Sequence, residues 1–330
     1  MYKNKNILVT GGTGAIGYHL VKKLLNFDCN IKVVSYDTKE YANTLFGNSV
    51  YFEKLDLTDF QNCLYAMEDV DYVFNLVGVK GSIGGHTELS KEFISYIKFQ
   101  TNIMEAAFKS NINRFLFVSS ICGYPQMSTP KKETDMWNGM PLQNDKYHGI
   151  CKRVGEIQAL SYFEEKSWDG IRIARPSNCY GPYDDFNPKT AQVIPALIAR
   201  AEFGENPVNV IGNGNSLRDF IYMDDVADGI LSVFEKGLPS DPINLGSGEG
   251  ISIKYISEVL SDIYKGTISF KFDETKYSGD PIRILSTEKC KEITGFSCKV
   301  NIKEGLRKTV DWFINNKDIT TMKGRYNAKR

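Results

Sequence analysis

Short apolar runs alternate with stretches of helical periodicity along the first half of the chain. The apolar runs predict strands, at residues 7–10, 31–35, 50–54, 72–77, 114–119 and 171–174. The stretches between them predict helices, of which the clearest cover residues 16–26, 59–67, 92–110 and 149–166. Continuous apolar strands separated by amphipathic helices are typical of a parallel sheet covered on both faces. We therefore expect an α/β fold with a doubly wound parallel sheet of the Rossmann type.

The pattern changes after residue 175, where the chain becomes rich in Pro, Gly and Asn. We expect a first domain at residues 1–175, to which residues 212–240 return because they again have the pattern of a core strand and helix. Residues 176–211 and 241–318 are expected to form a smaller α/β lobe that binds the substrate. Residues 319–330 are polar and basic and are expected to be a loosely held tail.

Charge and cysteine content argue against several classes of protein. Forty Lys and Arg residues balance forty Asp and Glu residues, so the net charge gives no indication of a nucleic-acid or membrane partner. We expect neither a signal peptide nor a membrane span, because the apolar runs are too short. The seven cysteines include no C-x-x-C pair, which favours reduced thiols over disulfides or a metal site. These features predict a cytoplasmic protein.

A glycine-rich segment connects the first predicted strand to the first predicted helix. Its residues are Gly11, Gly12, Thr13, Gly14, Ala15, Ile16 and Gly17. The three glycines at 11, 14 and 17 let the backbone turn tightly and approach a pyrophosphate, and the helix N-terminus supplies amide donors. The segment therefore predicts a dinucleotide site, for NAD or NADP.

The ends of the following strands add residues to this predicted cofactor site. Asp56 and Leu57 follow the third strand, near the expected adenine, and Leu76 and Val77 end the fourth strand beside the pyrophosphate. Asp37 follows the second strand, where a carboxylate accepts hydrogen bonds from the adenosine ribose.

The choice between NAD and NADP depends on the residues after the second strand. Asp37 would repel a 2′-phosphate and favours NAD, although it can also be interpreted as a solvated turn residue. Ser35 and Lys39 are compatible with NADP, because Lys39 is close enough in sequence to pair with a phosphate. The sequence therefore favours NAD only slightly.

Further motifs resemble those of the extended short-chain dehydrogenases/reductases, the NAD-dependent epimerase/dehydratase family. They are SS at 119–120, KRVGE at 152–156, RPSNCYGP at 175–182, RDFIYMDD at 218–225 and NLGSG at 244–248. Within that family the chain is most similar to the GDP-fucose synthases, through SICGYP at 120–125, DFNP at 185–188 and VIPAL at 193–197. The resemblance covers about residues 5–315.

The resemblance implies an NAD(P)-dependent enzyme that acts on a nucleotide sugar. In the family a tyrosine exchanges a proton with the sugar oxygen while a hydride moves to or from the nicotinamide. A lysine four residues later, here Lys152, binds the nicotinamide ribose and lowers the pKa of the tyrosine. A serine on a neighbouring strand, here Ser120, hydrogen-bonds the same sugar oxygen. Pro176 is implied as a further cofactor contact.

The position of the catalytic tyrosine is occupied by His148. On a regular helix His148 lies about 40° from Lys152, whereas Tyr147 lies about 140° away. Three hypotheses remain open. In the first, His148 does the work of the tyrosine, as a base with an ordinary pKa near 6.5. In the second, the helix start is irregular and Tyr147 reaches the site. In the third, the substitution has weakened the redox chemistry and leaves a binding protein or a very slow enzyme.

A second departure concerns epimerisation. Cys122 matches the acid/base cysteine of the GDP-fucose synthases, but their partner histidine falls at Gln192. Glutamine does not transfer protons at neutral pH, so the resemblance leaves double epimerisation open, with Cys122 either functional or a buried bystander.

The resemblance also implies residues that bind the substrate. Asn178 and Arg218 match residues that meet the phosphates, Arg283 is expected to reach the nucleotide, and Gln192 and Val193 to lie beside the sugar. Lys80 and His86 belong to a glycine-rich loop that either flanks the sugar or is a flexible connector. Arginine suits a diphosphate because its planar fork binds phosphate through two hydrogen bonds.

The expected activity is that of a reductase or epimerase at C4 of a hexose or heptose, most simply GDP-linked. A 4-epimerase that recycles its NAD and a 4,6-dehydratase are alternatives. Dehydratases usually carry an Asp-Glu pair where this chain has Ile121 and Cys122. A silent nucleotide-sugar-binding protein is the alternative from another class. The resemblance also implies a homodimer through the helices predicted at 92–110 and 149–166.

Overall fold

A computed structural model describes residues 1–78, 89–276 and 280–317, with the side chains of residues 89–92 left undescribed. Its strands are β1 Lys5–Thr10, β2 Cys29–Ser35, β3 Tyr51–Lys54, β4 Tyr72–Asn75, β5 Arg114–Val118, β6 Ile171–Pro176, β7 Asn178–Tyr180, β8 Val208–Ile211, β9 Leu217–Arg218, β10 Phe220–Tyr222, β11 Pro242–Leu245, β12 Ile251–Ser252, β13 Phe270–Asp273 and β14 Ile282–Arg283. Its α-helices are α1 Ala15–Leu24, α2 Lys39–Phe46, α3 Phe60–Ala66, α4 Leu89–Lys109, α5 Lys146–Lys166, α6 Val193–Glu202, α7 Met223–Lys236, α8 Ile253–Ile263, α9 Glu288–Thr294 and α10 Ile302–Asn315.

Seven strands form one sheet, in the order β3-β2-β1-β4-β5-β6-β11. Every neighbouring pair is parallel. The chain winds outward from β1 to β3 on one side and from β4 to β11 on the other. The expectation of a doubly wound α/β sheet is therefore confirmed. The reversal between β1 and β4 opens a crevice at the carboxyl ends of these strands, which is where such sheets bind ligands.

Both faces of this sheet are buried, as its continuous apolar strands require. On β1, Ile7 and Val9 pack into one core with α1 and α7, while Leu8 packs into the opposite core with α4 and α5. A separate core between α6, α8 and α10 stabilises the smaller lobe. No described helix is long and apolar enough to cross a membrane.

The chain passes between the main sheet and the smaller lobe more often than the predicted boundaries imply. Residues 212–240 were expected to return to the first domain, and α7 does pack against α1. However, β9 pairs with β12 and β14 in a small sheet of the lobe. The predicted boundary at residue 241 is also displaced, because β11 joins the main sheet beside β6. The predicted tail at 319–330 lies outside the described residues.

A buried ion pair fixes α5 against the sheet. Arg175 of β6 donates from Nε to Oε1 of Glu156 (2.8 Å) and from Nη2 to Oε2 (2.5 Å). The hydroxyl of Ser119 donates to the same carboxylate, and Arg175 also donates to the hydroxyl of Tyr124 (2.7 Å). Arg175 is 1% exposed and Glu156 is 4% exposed. This two-pronged geometry satisfies both charges away from water and so sets the position of α5.

We expect Glu156→Gln to lower the free energy of unfolding by about 3–5 kcal/mol, because the guanidinium of Arg175 would keep its burial and lose its counter-charge. Glu164→Gln is the matched control, since Glu164 is exposed on the same helix. Urea unfolding followed by circular dichroism measures both variants. Equal losses for the two substitutions would contradict a structural role for the ion pair.

Candidate active site

The glycine segment forms a tight turn between β1 and α1. Gly11 has a φ of +69°, and a Cβ there would stand 3.2 Å from the backbone carbonyl carbon of Leu76 and from the amide nitrogen of Val77. A Cβ on Gly17 would stand 2.3 Å from the carbonyl oxygen of Gly11. The turn therefore packs directly against the end of β4 and excludes side chains. Gly14 precedes α1, so no side chain caps the first amides of that helix, which fits a pyrophosphate.

Asp37 lies beside this turn, as the fit to an adenosine ribose requires. The hydroxyl of Thr13 donates to Oδ2 of Asp37 (2.6 Å), and the Thr13 and Ser35 hydroxyl oxygens are 2.6 Å apart. Lys39 begins α2 and is exposed. The cluster of Thr13, Ser35 and Asp37 joins the glycine turn to the carboxyl end of β2.

The predicted residues after β3 lie one strand farther out. Asp56 is exposed and accepts hydrogen bonds from Tyr36 and from the amide of Thr58 (2.9 Å). The hydrogen bond from Tyr36 is the main reason why the pKa of Asp56 is lowered. Leu57 is buried in the core, so only its backbone can face a ligand.

Lys152 carries a buried ammonium group next to the end of β4. Its Nζ donates to the carbonyl oxygen of Val118 (2.5 Å) and lies 5.3 Å from the ring centroid of Tyr96 and 5.5 Å from that of Phe117. A Cβ on Gly78 would stand 4.0 Å from the same nitrogen. Burial lowers the pKa of Lys152 to about 8.

His148 lies on the same side of α5 as Lys152. Its ring centroid is 5.5 Å from that of Tyr96, the ring that Lys152 also contacts. Tyr147 points elsewhere: it is 45% exposed, and its ring packs against Phe93. The structure thus brings together His148 and Lys152 but not Tyr147, because α5 is already helical from Lys146, three residues before the predicted start at 149.

The turn that follows β5 carries Ser120 and Cys122 and packs on the start of α5. The hydroxyl of Ser120 accepts a hydrogen bond from the amide of Cys122 (3.1 Å). A Cβ on Gly149 would stand 2.3 Å from the carbonyl oxygen of Cys122, so the turn and the helix are in direct contact next to His148. Burial raises the pKa of the Cys122 thiol, and the nearby guanidinium of Arg283 opposes this shift.

The two arginines predicted to bind the substrate, Arg218 at the phosphates and Arg283 at the nucleotide, lie side by side. Arg218 of β9 and Arg283 of β14 are partners in the strand register. Arg283 donates to the thiol of Cys122 (3.1 Å) and pairs with Asp145 (2.6 Å), so it connects the lobe to the start of α5.

Lys131 was not predicted from the sequence. It is buried beside these strands and donates to the carbonyl oxygen of residue 282 (3.1 Å). Burial lowers the pKa of Lys131.

The remaining predicted residues are distributed around this region. Asn178 begins β7 and donates its side-chain amide to the carbonyl oxygen of Asp219 (2.7 Å). Pro176 ends β6 as the register partner of Leu245. Gln192 is exposed just before α6, and Val193 packs on the lobe core. The loop residues Lys80 and His86 lie outside the described residues.

Comparisons with known proteins find relatives along nearly the whole chain. The model of the NAD dependent epimerase/dehydratase family matches residues 7–246. GDP-L-fucose synthase 1 of Arabidopsis thaliana is 26% identical over 322 residues, which are 95% of this chain and 94% of that protein. GDP-L-fucose synthase of Escherichia coli (strain K12) is 27% identical over 331 residues, 95% of this chain and 98% of that protein. The solved structure of UDP-glucose 4-epimerase from Thermotoga maritima, with UDP-glucose, is 26% identical with a TM-score of 0.83, covering 94% of this chain and 99% of that chain.

The lowered pKa of Lys152 predicts how stability changes with pH. Its value of about 8 in the folded protein is below the ordinary lysine value near 10.4. Between these values the unfolded state binds more protons than the folded state, so the folded state gains stability as the pH rises.

We therefore expect the free energy of unfolding of the wild type to rise by about 2–3 kcal/mol relative to Lys152→Met between pH 7 and pH 10. Methionine keeps much of the side-chain volume and removes this one titration, so the comparison cancels the other groups. Urea unfolding of both proteins at the two pH values measures the difference. Parallel pH profiles would show that Lys152 titrates as an ordinary lysine.

Proposed function

We propose that this chain, which belongs to the NAD dependent epimerase/dehydratase family, is a nucleotide-sugar reductase or epimerase acting at C4 of a GDP-linked hexose or heptose. The observation that carries the proposal is the convergence of His148 and Lys152 on the ring of Tyr96, beside the end of β4. A titratable ring and a cation therefore lie next to the crevice of the sheet, where proton transfer can accompany hydride transfer.

In this proposal the residues around the glycine turn bind NAD. The turn at Gly11 and Gly14 and the first amides of α1 hold the pyrophosphate, and Asp37 accepts hydrogen bonds from the adenosine ribose. A 2′-phosphate would be brought against the carboxylate of Asp37, which supports NAD over NADP. The bound dinucleotide supplies the hydride that is exchanged with the sugar carbon.

His148 is proposed to hold the proton that is exchanged at the sugar O4. In the reductive direction the protonated ring of His148, an imidazolium, donates this proton to the carbonyl oxygen as the carbon receives the hydride, and it is left as neutral imidazole. In the oxidative direction the neutral ring accepts the proton of the hydroxyl as the carbon loses a hydride. Ser120, on the turn after β5, is proposed to orient the same oxygen. Lys152 faces the nicotinamide ribose from the interior.

The diphosphate is proposed to bind at the paired arginines of the lobe. Arg218 and Arg283 lie in register on neighbouring strands. Lys131 lies buried beside them, 3.8 Å from Asp280. Two arginines on neighbouring strands suit a diphosphate, because arginine binds phosphate through two parallel hydrogen bonds. The GDP link is proposed because the names of the two curated relatives specify a GDP-linked sugar.

Other reactions of the family fit less well. A 4-epimerase that recycles its own NAD is the second candidate, because the similar structure from Thermotoga maritima is named as a 4-epimerase. A 4,6-dehydratase is disfavoured by Ile121 and Cys122, which provide no pair of carboxyl groups. Double epimerisation is disfavoured by Gln192, because a glutamine amide neither gives up nor takes up a proton at neutral pH.

We also propose a homodimer through α4 and α5. Apolar side chains are exposed on both helices, namely Ile94, Ile157, Leu160 and Phe163. Burying such a surface against a second copy would remove apolar area from water.

The proposed function predicts that His148→Ala lowers turnover about 10²–10⁴-fold, because the proton at the sugar oxygen loses its carrier. NADH oxidation at 340 nm measures this with 4-keto sugars linked to GDP, UDP, CDP and dTDP. Cofactor affinity, measured by NADH fluorescence, should be unchanged.

Tyr147→Phe is the control, because it removes a hydroxyl from the adjacent residue and should leave turnover near the wild-type value. Loss of turnover in Tyr147→Phe alone would mean that Tyr147 carries the proton. Turnover that exists only after His148→Tyr would identify the wild type as a silent binding protein.

The cofactor preference predicts that Asp37→Ser lowers the ratio of kcat/KM for NADH to that for NADPH by about tenfold or more, since a like-charge contact costs several kcal/mol. Asp56→Asn removes a carboxylate one strand away and should leave the ratio unchanged. An unchanged ratio in Asp37→Ser would mean that Asp37 is only a turn residue.

A further inference from the structure

Tyr96 of α4 occupies the centre of the proposed catalytic group. Its ring is the surface shared by His148 and Lys152, with the imidazole centroid 5.5 Å and the ammonium nitrogen 5.3 Å from the phenol centroid. Tyr96 is 1% exposed, and a third ring, that of Phe99, packs 4.9 Å away. The phenol ring is therefore held firmly while it contacts both groups.

The hydroxyl of Tyr96 is buried and has no hydrogen-bond partner among the residues that the structure describes. A buried hydroxyl without a partner costs free energy, so native proteins usually provide one, often as a ligand or an ordered water. Burial also raises the pKa of Tyr96 well above its ordinary value, so the phenol stays protonated and can donate. The hydroxyl is thus a donor enclosed in the protein.

The direction of this hydroxyl identifies what it can meet. A Cβ on Gly78 would stand 3.8 Å from the Tyr96 hydroxyl and 4.0 Å from Nζ of Lys152. Both polar groups therefore face the same point, just beyond the carboxyl end of β4. Asp37 lies in the other half of the crevice, beyond the carboxyl end of β2.

A dinucleotide in this crevice spans both halves. Its pyrophosphate lies on the turn between β1 and α1, and its adenosine half extends over β2. The other ribose must then extend over β4, toward Gly78. That ribose carries two neighbouring hydroxyls, which can both accept and donate hydrogen bonds.

We propose that Tyr96 binds the nicotinamide-side ribose of the dinucleotide through its hydroxyl, and that α4 thereby supplies the phenol that α5 lacks at position 148. This rests on the proposed function only in taking the cofactor to be a dinucleotide. Tyr96 donates to one ribose hydroxyl while Lys152 faces the same sugar. His148, tilted against the same ring, is left to exchange its proton with the substrate.

Tyr96→Phe tests this, because it keeps the ring and removes only the hydroxyl. We expect about three- to tenfold weaker binding of NADH and of ADP-ribose, which is the effect of one lost hydrogen bond. ADP lacks the second ribose, and its affinity should not change. Isothermal titration of the full-length protein with the three compounds gives these affinities without any sugar substrate.

Tyr2→Phe is the matched control, since Tyr2 is equally buried but lies before β1, at the far end of the sheet. It should leave all three affinities at the wild-type values. Unchanged NADH and ADP-ribose affinity in Tyr96→Phe would overturn the proposal, and so would an equal loss for ADP, which would indicate a purely structural hydroxyl.

The Tyr96→Phe affinities and the turnover assays test the ribose contact and the proposed function separately. If no nucleotide sugar is turned over but NADH binding weakens selectively in Tyr96→Phe, the ribose contact stands without the reaction. If sugars are turned over and the affinities do not change, the reaction stands and the contact is wrong.

Discussion

The placement of α5 on the sheet depends on one buried ion pair, and the rest of the candidate site depends on α5. Glu156 is held by Arg175 through two hydrogen bonds, with Ser119 as a third donor. A helix residue advances by about 100°, so a rotation of α5 by one position would move His148 and Lys152 off the ring of Tyr96. The ion pair resists such a rotation because either charge alone would be buried without a partner.

Most of the sheet could be predicted because its signals are local. Most strands from β1 to β6 lie in short apolar runs, and each is followed within a few residues by polar or turn residues. The placement of β11 in the main sheet was missed because its four residues resemble any short strand. Only its pairing with β6 assigns it to that sheet and not to the lobe. Likewise, the start of α5 at Lys146 was missed, and the close contact there between Gly149 and the carbonyl oxygen of Cys122 is a tertiary contact that no sequence pattern records.

The residues of the candidate site also fall into those that local sequence motifs indicate and those that only tertiary packing brings to the site. The glycine turn, Asp37, Ser120 and Lys152 belong to motifs at the ends of predicted elements, so the sequence could point to them. Tyr96 and Lys131 could not be found in this way. Tyr96 occupies an ordinary inward position of an amphipathic helix, and its chemistry arises only when α4 packs against α5. The only signal in the sequence was indirect. Position 148 carries histidine in place of the family's tyrosine, which indicates that a phenol near the site would have to come from another element.

The exchange of tyrosine for histidine also changes what is required of Lys152. A tyrosine has an ordinary pKa near 10 and needs a close cation to bring it into the working range, whereas an imidazole titrates near 6.5 without help. A lysine beside histidine can therefore lie deeper, and burial here lowers the pKa of Lys152 to about 8. In the proposed mechanism the ammonium does not have to activate the acid, and the role left for it is the proposed contact with the cofactor ribose. The ring of Tyr96 contacts both groups, which lie about one turn apart on α5.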